Sequence, residues 1–286
     1  MVESSSNMQF VLSLFSGVGL LDKAFRDLGF CVVSAGDLIT GQDIREFIGL
    51  KNKFDGVIGG SPCQDFSGLK RDKGDYSLQM IYEFLRVVTE CEPDWYLLEN
   101  VKGVPNVTDL LNNNVTHRHL FNVTELLNYS HQRIDINQGW FDDYSRLRHI
   151  QFGSKNDLYL DIPRGNMSKN LLGGCALASD DRSFKELCHI QGLEPDFDLP
   201  DFNVKGKKRA VGNGVPLSLG RVIAQAVKNV TVPGQTSVNH REEKSVTQQD
   251  EKRCACGCGR ILIGRKKTYD ATCRKRLQRI IIKGLK

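Results

Sequence analysis

Residues 54–67 read FDGVIGGSPCQDFS: an apolar run stops at two glycines, and a cysteine follows directly on a proline. No other stretch narrows the possible fold as much. Val57 and Ile58 are β-branched and suit a strand covered on both faces, the strand type of parallel α/β sheets. Gly59 and Gly60 end it and let the backbone lie close to a ligand. Pro62 fixes its own φ and pushes Ser61 towards an extended conformation, so Cys63 is expected on a stiff turn at the strand's carboxyl end. Open α/β sheets place their ligands there.

The same grammar recurs along the chain. Phe10–Leu14 is an apolar strand candidate that passes through a glycine-rich turn into a helix with Leu20, Leu21, Ala24, Phe25 and Leu28 on one face. Gly29 suits that helix's end. The next strand, Cys31–Ala35, ends near Asp37, whose carboxylate can accept hydrogen bonds from two ribose hydroxyls. Tyr76–Cys91 reads as a helix with Met80, Ile81, Phe84, Leu85 and Val88 as its apolar set, and a strand over 95–98 then ends in Glu99, Asn100 and Val101. Strands alternating with helices predict an α/β, doubly wound sheet. Residues 104–130 are poorly patterned and rich in Asn, no chemistry is placed there, and His117 and His119 read as surface residues. Strands over about 133–137 and 149–152 flank Arg146 and Arg148, which at a spacing of two would face one side. Further on, Gly212 and Gly214 suggest a tight turn, followed by a helix packed on the sheet through Val222, Ile223, Ala226 and Val227.

At 286 residues and 40% hydrophobic content, the chain can hold one substantial domain and an appendage. Its start, MVESSSNMQF, lacks a basic region followed by an apolar stretch, and no run is long enough to span a bilayer, so a cytoplasmic protein is expected. Nine cysteines then point to metal, catalysis or burial rather than to disulfides. Residues 252–286 carry twelve Lys or Arg against one acid, a net of +11, which leaves −6 for residues 1–251 of a chain whose formal charge is +5. Three segments follow: a domain over 1–230, a polar linker over 231–251 and a basic tail over 252–286. In the tail, Cys254, Cys256, Cys258 and Cys273 supply four thiolates, the count that closes a tetrahedral zinc site; the alternative is a reduced, solvated cysteine cluster.

Several of these stretches, taken together and in order, resemble the motifs of the cytosine-C5 DNA methyltransferases. They are the pattern Phe15-x-Gly17-x-Gly19, the pair Asp43-Ile44, the phrases Pro62-Cys63-Gln64 and Glu99-Asn100-Val101, the pair Arg146-x-Arg148, the phrase Ile190-Gln191-Gly192-Leu193 and the closing Gly212-Asn213-Gly214. The resemblance runs over about 14–228 and implies a Rossmann-like methyltransferase sheet. It implies Cys63 as the nucleophile, Glu99 as the acid that engages the cytosine ring, and Arg148, with Arg146 beside it, as a donor to the cytosine O2. S-adenosylmethionine would be held by Phe15, Gly17, Gly19, Leu20, Asp37, Asp43, Ile44, Pro62 and Asn213. The substrate implied is double-stranded DNA with the target base flipped out, and a cognate restriction nuclease is a possible partner.

Three features depart from the family pattern. Tyr144 stands at the glutamine position and Asp143 at the preceding proline of the arginine motif. Only five residues separate Asp37 from Asp43, so a helix is expected to be missing there. Residues 154–183 are far shorter than the usual target-recognition region, and a small insert offers little of the roughly 600 Å² that a specific DNA module buries. Two alternatives stay open: an RNA (tRNA) cytosine-C5 methyltransferase, and a catalytically lapsed homologue that binds DNA.

The charge division makes a prediction about the tail. Log affinity for duplex DNA falls with log salt by about 0.9 per phosphate neutralised. If four of the twelve basic residues at 252–286 touch phosphates, deleting that segment should flatten the slope by roughly 3.6 units. Equal slopes for the full-length and truncated chains would show that the tail does not hold DNA.

Overall fold

A computed structural model describes residues 8–66, 74–113, 123–178 and 180–232. The chain divides into 1–237 and 238–286, and all described residues belong to the first unit. The tail cysteines, residues 233–251 of the linker, Ser67, His117 and His119 lie outside the described residues, whereas Thr231 ends the last helix.

The elements run β1 (Phe10–Leu14), α1 (Leu20–Asp27), β2 (Cys31–Ala35), β3 (Gly56–Gly60), α2 (Tyr76–Cys91), β4 (Trp95–Asn100), α3 (Val107–Asn113), α4 (Val123–Leu127), β5 (Ser130–Asn137), β6 (Tyr144–Ser145), β7 (Leu147–Ser154), β8 (Gly173–Gly174), α5 (Phe184–Ile190), α6 (Val204–Asn213) and α7 (Leu217–Thr231). Six strands form one sheet in the order β2-β1-β3-β4-β7-β5, and β6 pairs with β8 in a second small ladder. The first four strands are parallel, and β7 runs antiparallel between β4 and β5.

Alternation along the strands divides the core. Val11, Ile58, Trp95 and Leu97 point to the face covered by α1 and α7, whereas Leu12, Val57, Tyr96 and Leu98 point to the face covered by α2 and α3. The sheet is therefore doubly wound, as expected. β1 stands between β2 and β3, so the chain leaves β1 to one side and returns on the other, which places a crevice at the carboxyl ends of these two strands. Between β2 and β3 the connection holds two single 3-10 turns, Leu38–Thr40 and Ile44–Glu46, in place of a helix.

Two expectations are corrected. The stretch 104–130, read as unpatterned, contains α3 and α4, and its Val104, Val107, Leu110, Leu111, Leu126 and Tyr129 are buried against α2 and the sheet. Each side chain of this size contributes about 1.5–3 kcal/mol on burial, so the segment closes the core despite its polar composition. Gly212 and Gly214 do not form a turn. Gly212 lies within α6 and Gly214 caps it with φ −67°. Both are small because of close approach: an added Cβ would stand 2.5 Å from the Leu177 carbonyl carbon at Gly212 and 2.1 Å from Leu20 Cδ1 at Gly214.

Close approach also makes a core glycine testable. A Cβ on Gly153, in β7, would stand 2.1 Å from Tyr96 Cε1, and the fully buried Tyr96 is held by its hydroxyl at 2.8 Å from His131 Nδ1. Gly153→Ala should destabilise by about 1–3 kcal/mol through overpacking. For a domain of this size that lowers Tm by about 2–4 °C per kcal/mol in a thermal melt. Gly174→Ala, where nothing lies within 4 Å, should leave Tm unchanged.

Candidate active site

The crevice holds a cavity of about 680 Å³ lined by the loops that follow β1, β2, β3 and β4 together with one face of α6. The turn after β1 is conformationally unusual. Phe15, Gly17 and Gly19 have φ of 54°, 56° and 73°, and a non-glycine residue held there is the kind of strain found at ligand sites. The turn is fixed from both sides. Gly17 N donates to Asp37 Oδ2 at 2.7 Å, and the buried Asp22 accepts from Ser13 and Ser34 hydroxyls, each at 2.5 Å, joining the start of α1 to β1 and β2. Asp37 Oδ1 accepts from Ile39 N at 2.8 Å, which leaves each carboxylate oxygen a second lone pair directed elsewhere. Asp43 caps the second 3-10 turn through Arg45 N at 2.9 Å, and its pairing with the Arg45 guanidinium lowers its pKa to about 2.

The β3 and β4 ends are tied to each other. Asn100 Nδ2 donates to the Ser61 carbonyl at 3.1 Å and to its hydroxyl at 2.9 Å, while Asn100 Oδ1 accepts from Val101 N at 2.8 Å. Pro62 and Cys63 follow at the cavity wall. The loop beyond is anchored to the start of α2, where Ser77 N donates to Asp65 Oδ2 at 2.8 Å and Asp65 N to the Ser77 hydroxyl at 3.1 Å. Gly60 lies close against Glu99, since an added Cβ would stand 3.2 Å from Glu99 Oε2 and the carboxylate would have to give by a few tenths of an ångström.

Glu99 is 7% exposed, and its Oε1 lies 2.7 Å from Arg148 Nε. Burial pushes its pKa up, and the positive charges of Arg148 and Arg146 pull it down without cancelling the rise. Burial also pushes the Cys63 thiol up; Glu99 acts the same way, and Arg148 and Arg146 oppose it. The cavity wall thus combines a thiol, a carboxyl group biased towards its protonated form and a guanidinium.

Of the residues singled out from sequence, Phe15, Gly17, Leu20, Asp37, Asp43, Ile44, Pro62, Cys63, Glu99, Arg148 and Asn213 all line this one cavity. Gly19 does not; it sits behind the turn as the left-handed cap of α1. Arg146 corrects the expectation of two arginines side by side. It lies between β6 and β7, outside either strand, so the two-residue alternation does not apply. Only 4% exposed, it donates to the carbonyls of Ala176 at 2.6 Å and Gly212 at 3.0 Å, which pins the end of α6 to the segment before α5. Burial, followed by the charge of Arg148, lowers its pKa to about 10.

Sequence reasoning passed over Tyr76, Phe202 and Gly206, which also line the cavity; Met80, read as a core residue, and Arg209, in a basic run that can meet phosphates, line it too. Gly206, Arg209 and Asn213 were legible as one helical face, had the glycines of α6 not suggested a turn. Among the described residues no group of three or more His, Cys, Asp or Glu could hold a metal, and no helix is long and apolar enough to cross a membrane.

The type II methyltransferase M.FnuDI of Fusobacterium nucleatum is 36% identical over 112 residues, 33% of each chain. The type II methyltransferase M.XorII of Xanthomonas oryzae is 34% identical over 119 residues, 32% of this chain and 28% of that one. The match therefore spans about a third of the length of these curated relatives. Among solved structures, the Entamoeba histolytica methyltransferase EhMeth superposes with a TM-score of 0.53 at 11% identity, covering 78% of this chain and 98% of that one. The S. pombe Dnmt2 methyltransferase does so with 0.52 at 14%, covering 77% and 98%; at such identities the likeness speaks for the fold. The sequence family of C-5 cytosine-specific DNA methylases matches residues 9–170, more than half of the chain, and contains the strand ends that carry Cys63 and Glu99; the chain belongs to that family.

Proposed function

We propose that the chain methylates C5 of a cytosine in duplex DNA, using S-adenosylmethionine as donor and Cys63 as the covalent nucleophile. The observation that carries this reading is the convergence of Cys63, Glu99 and Arg148 with the β1 and β2 turns on one cavity. Its volume of about 680 Å³ lies within the range of small-molecule sites.

The donor set fits an adenosyl group. Asp37 keeps a free lone pair on each oxygen for two ribose hydroxyls, and Asp43, held by Arg45, and the buried Ile44 line the wall beside it, where an adenine ring would lie. Gly17 leaves open space where a Cβ would stand. Asn213, on the opposite wall, can bond the amino-acid end. When bound, S-adenosylmethionine supplies an electrophilic methyl carbon on a sulfonium.

The protein's own groups prepare the ring to accept it. Cytosine C6 is a poor electrophile, so a soft nucleophile must add there while a donor near N3 takes up charge. The thiolate of Cys63 is suited to the first task. Glu99, whose burial favours the protonated form, is suited to the second, and Arg148 holds its carboxyl group in place at 2.7 Å. Addition at C6 makes C5 nucleophilic. After methylation, loss of the C5 proton and departure of the Cys63 sulfur restore the aromatic ring. Chemistry on the ring from such a loop needs the base outside the duplex, at a cost of a few kcal/mol.

Cys63→Ser should abolish methyl transfer while leaving S-adenosylmethionine affinity nearly unchanged, because the adenosyl contacts lie on other loops. DNA containing 5-fluorocytosine should trap the wild-type chain as a denaturation-resistant adduct and leave the variant free. Normal turnover by Cys63→Ser would sink the covalent reading, and an adduct with tRNA but not with duplex DNA would reassign the substrate.

Glu99→Gln should cost about a hundredfold to ten-thousandfold in rate. It also has a consequence independent of turnover. Glu99 raises the Cys63 pKa, so removing its charge should move the pH midpoint of Cys63 alkylation downward, although burial keeps it above an ordinary thiol. An unmoved midpoint would show that the two groups do not sense each other.

A further inference from the structure

Helix α6 carries four cations and no acid, in a unit, residues 1–237, whose sequence is net −4. One of them is already engaged: Lys207 pairs with Asp198 at 2.6 Å and lies 5.6 Å over the Phe184 ring. The other three, Lys205, Lys208 and Arg209, have no acid partner among the described residues. Arg209 is exposed and also lines the cavity that contains Cys63, so it stands at the mouth. Lys205 is one turn earlier, and residues four apart on a helix are neighbours about 5–6 Å apart. The helix is held rigidly in this position. Asn203 caps its start through Gly206 N at 2.8 Å, and Arg146 and Gln191 bind the carbonyls of its last turn, Gln191 donating to Val211 at 2.5 Å and Gly214 at 3.0 Å.

We infer that this face of α6 is the seat of the DNA backbone beside the flipped cytosine, with Arg209 on a phosphate next to the extruded nucleotide and Lys205 and Lys208 on its neighbours. The inference rests on the DNA reading above. An extruded nucleotide enters the cavity base first, so its flanking phosphates must remain at the mouth, where Arg209 stands. Phosphate recognition asks for exposed, unpaired cations on a rigid element, without base-edge geometry. The alternative anion is the donor's own carboxylate; the exposure of Arg209 and the extension of the cluster away from the cavity to Lys205 and Lys208 favour the phosphate.

The test uses the full chain and mixed-sequence duplex DNA, with affinity measured against salt. Lys205→Gln with Lys208→Gln should flatten the slope by about 1.8 units, and adding Arg209→Gln should bring the loss to about 2.7. S-adenosylmethionine affinity of the double variant should not change, since neither lysine lines the cavity. In adduct formation with 5-fluorocytosine DNA, Arg209→Gln alone should be slower than the double variant at matched DNA occupancy. An unchanged salt slope overturns the inference. Weaker S-adenosylmethionine binding by Arg209→Gln with an unchanged slope would assign Arg209 to the carboxylate instead and overturn it too. If the wild-type chain shows no salt-dependent duplex binding, the DNA reading itself falls and the inference with it, an outcome that no α6 variant can produce.

Discussion

A strand covered on both faces has no room along its length for an unpaired polar side chain, and β1, β3 and β4 are all of this kind. Polar groups are therefore displaced to their carboxyl ends, where the crossover between β1 and β3 opens a crevice. The exceptions inside the sheet are paired. Ser13, in β1, gives its hydroxyl to Asp22, and Asn100, at the end of β4, is consumed by Ser61 and Val101. Those pairings set the distance between neighbouring strand ends, and so the position of Cys63 relative to Glu99. The site is rigid because the core allows no other place for its polar atoms.

Within that frame the electrostatics are set by one buried carboxyl group. A lone Glu at 7% exposure would simply stay neutral, and Arg148 at 2.7 Å restrains that tendency. Cys63 and Glu99 then titrate against each other: a charged Glu99 makes the thiolate harder to form, and a protonated Glu99 makes it easier. The protonation state suited to donating towards a ring nitrogen is thus also the one suited to a nucleophilic sulfur.

The extent to which the sequence disclosed this varies with the kind of order involved. The bounds of β1, β2 and α2 could be read directly, because apolar runs ending in Gly, Asp or Glu are local signals. Helices α3 and α4 could not, since Asn and Thr on their exposed sides mask the buried Val107, Leu110 and Leu111. Gly212 and Gly214 were misread for a different reason. A glycine needed for close approach and one needed for a turn look alike in sequence, and only the positions of Leu177 and Leu20 tell them apart. Most of the candidate site was visible as residue types at strand ends, whereas Asn213 and the basic run 205–209 were legible as residues but not as one helix, because the two glycines suggested a turn.

Arg146 shows what a motif spacing leaves undetermined. Two arginines separated by one residue face one side only if the backbone is a strand at both, and here the strand begins between them. The result is a division of labour. Arg148 reaches the cavity and engages Glu99, while Arg146 turns into the protein and spends its donors on Ala176 and Gly212. A guanidinium can hold two carbonyls from different segments at once because its donors diverge in a rigid plane, whereas a lysine ammonium is a compact point charge on a flexible stem. That fork fixes α6 against the segment before α5, and α6 carries both Asn213 and Arg209. The buried arginine therefore governs the wall of the cavity opposite Asp37 without touching its contents, and its charge still acts on Cys63 and Glu99 through the protein interior.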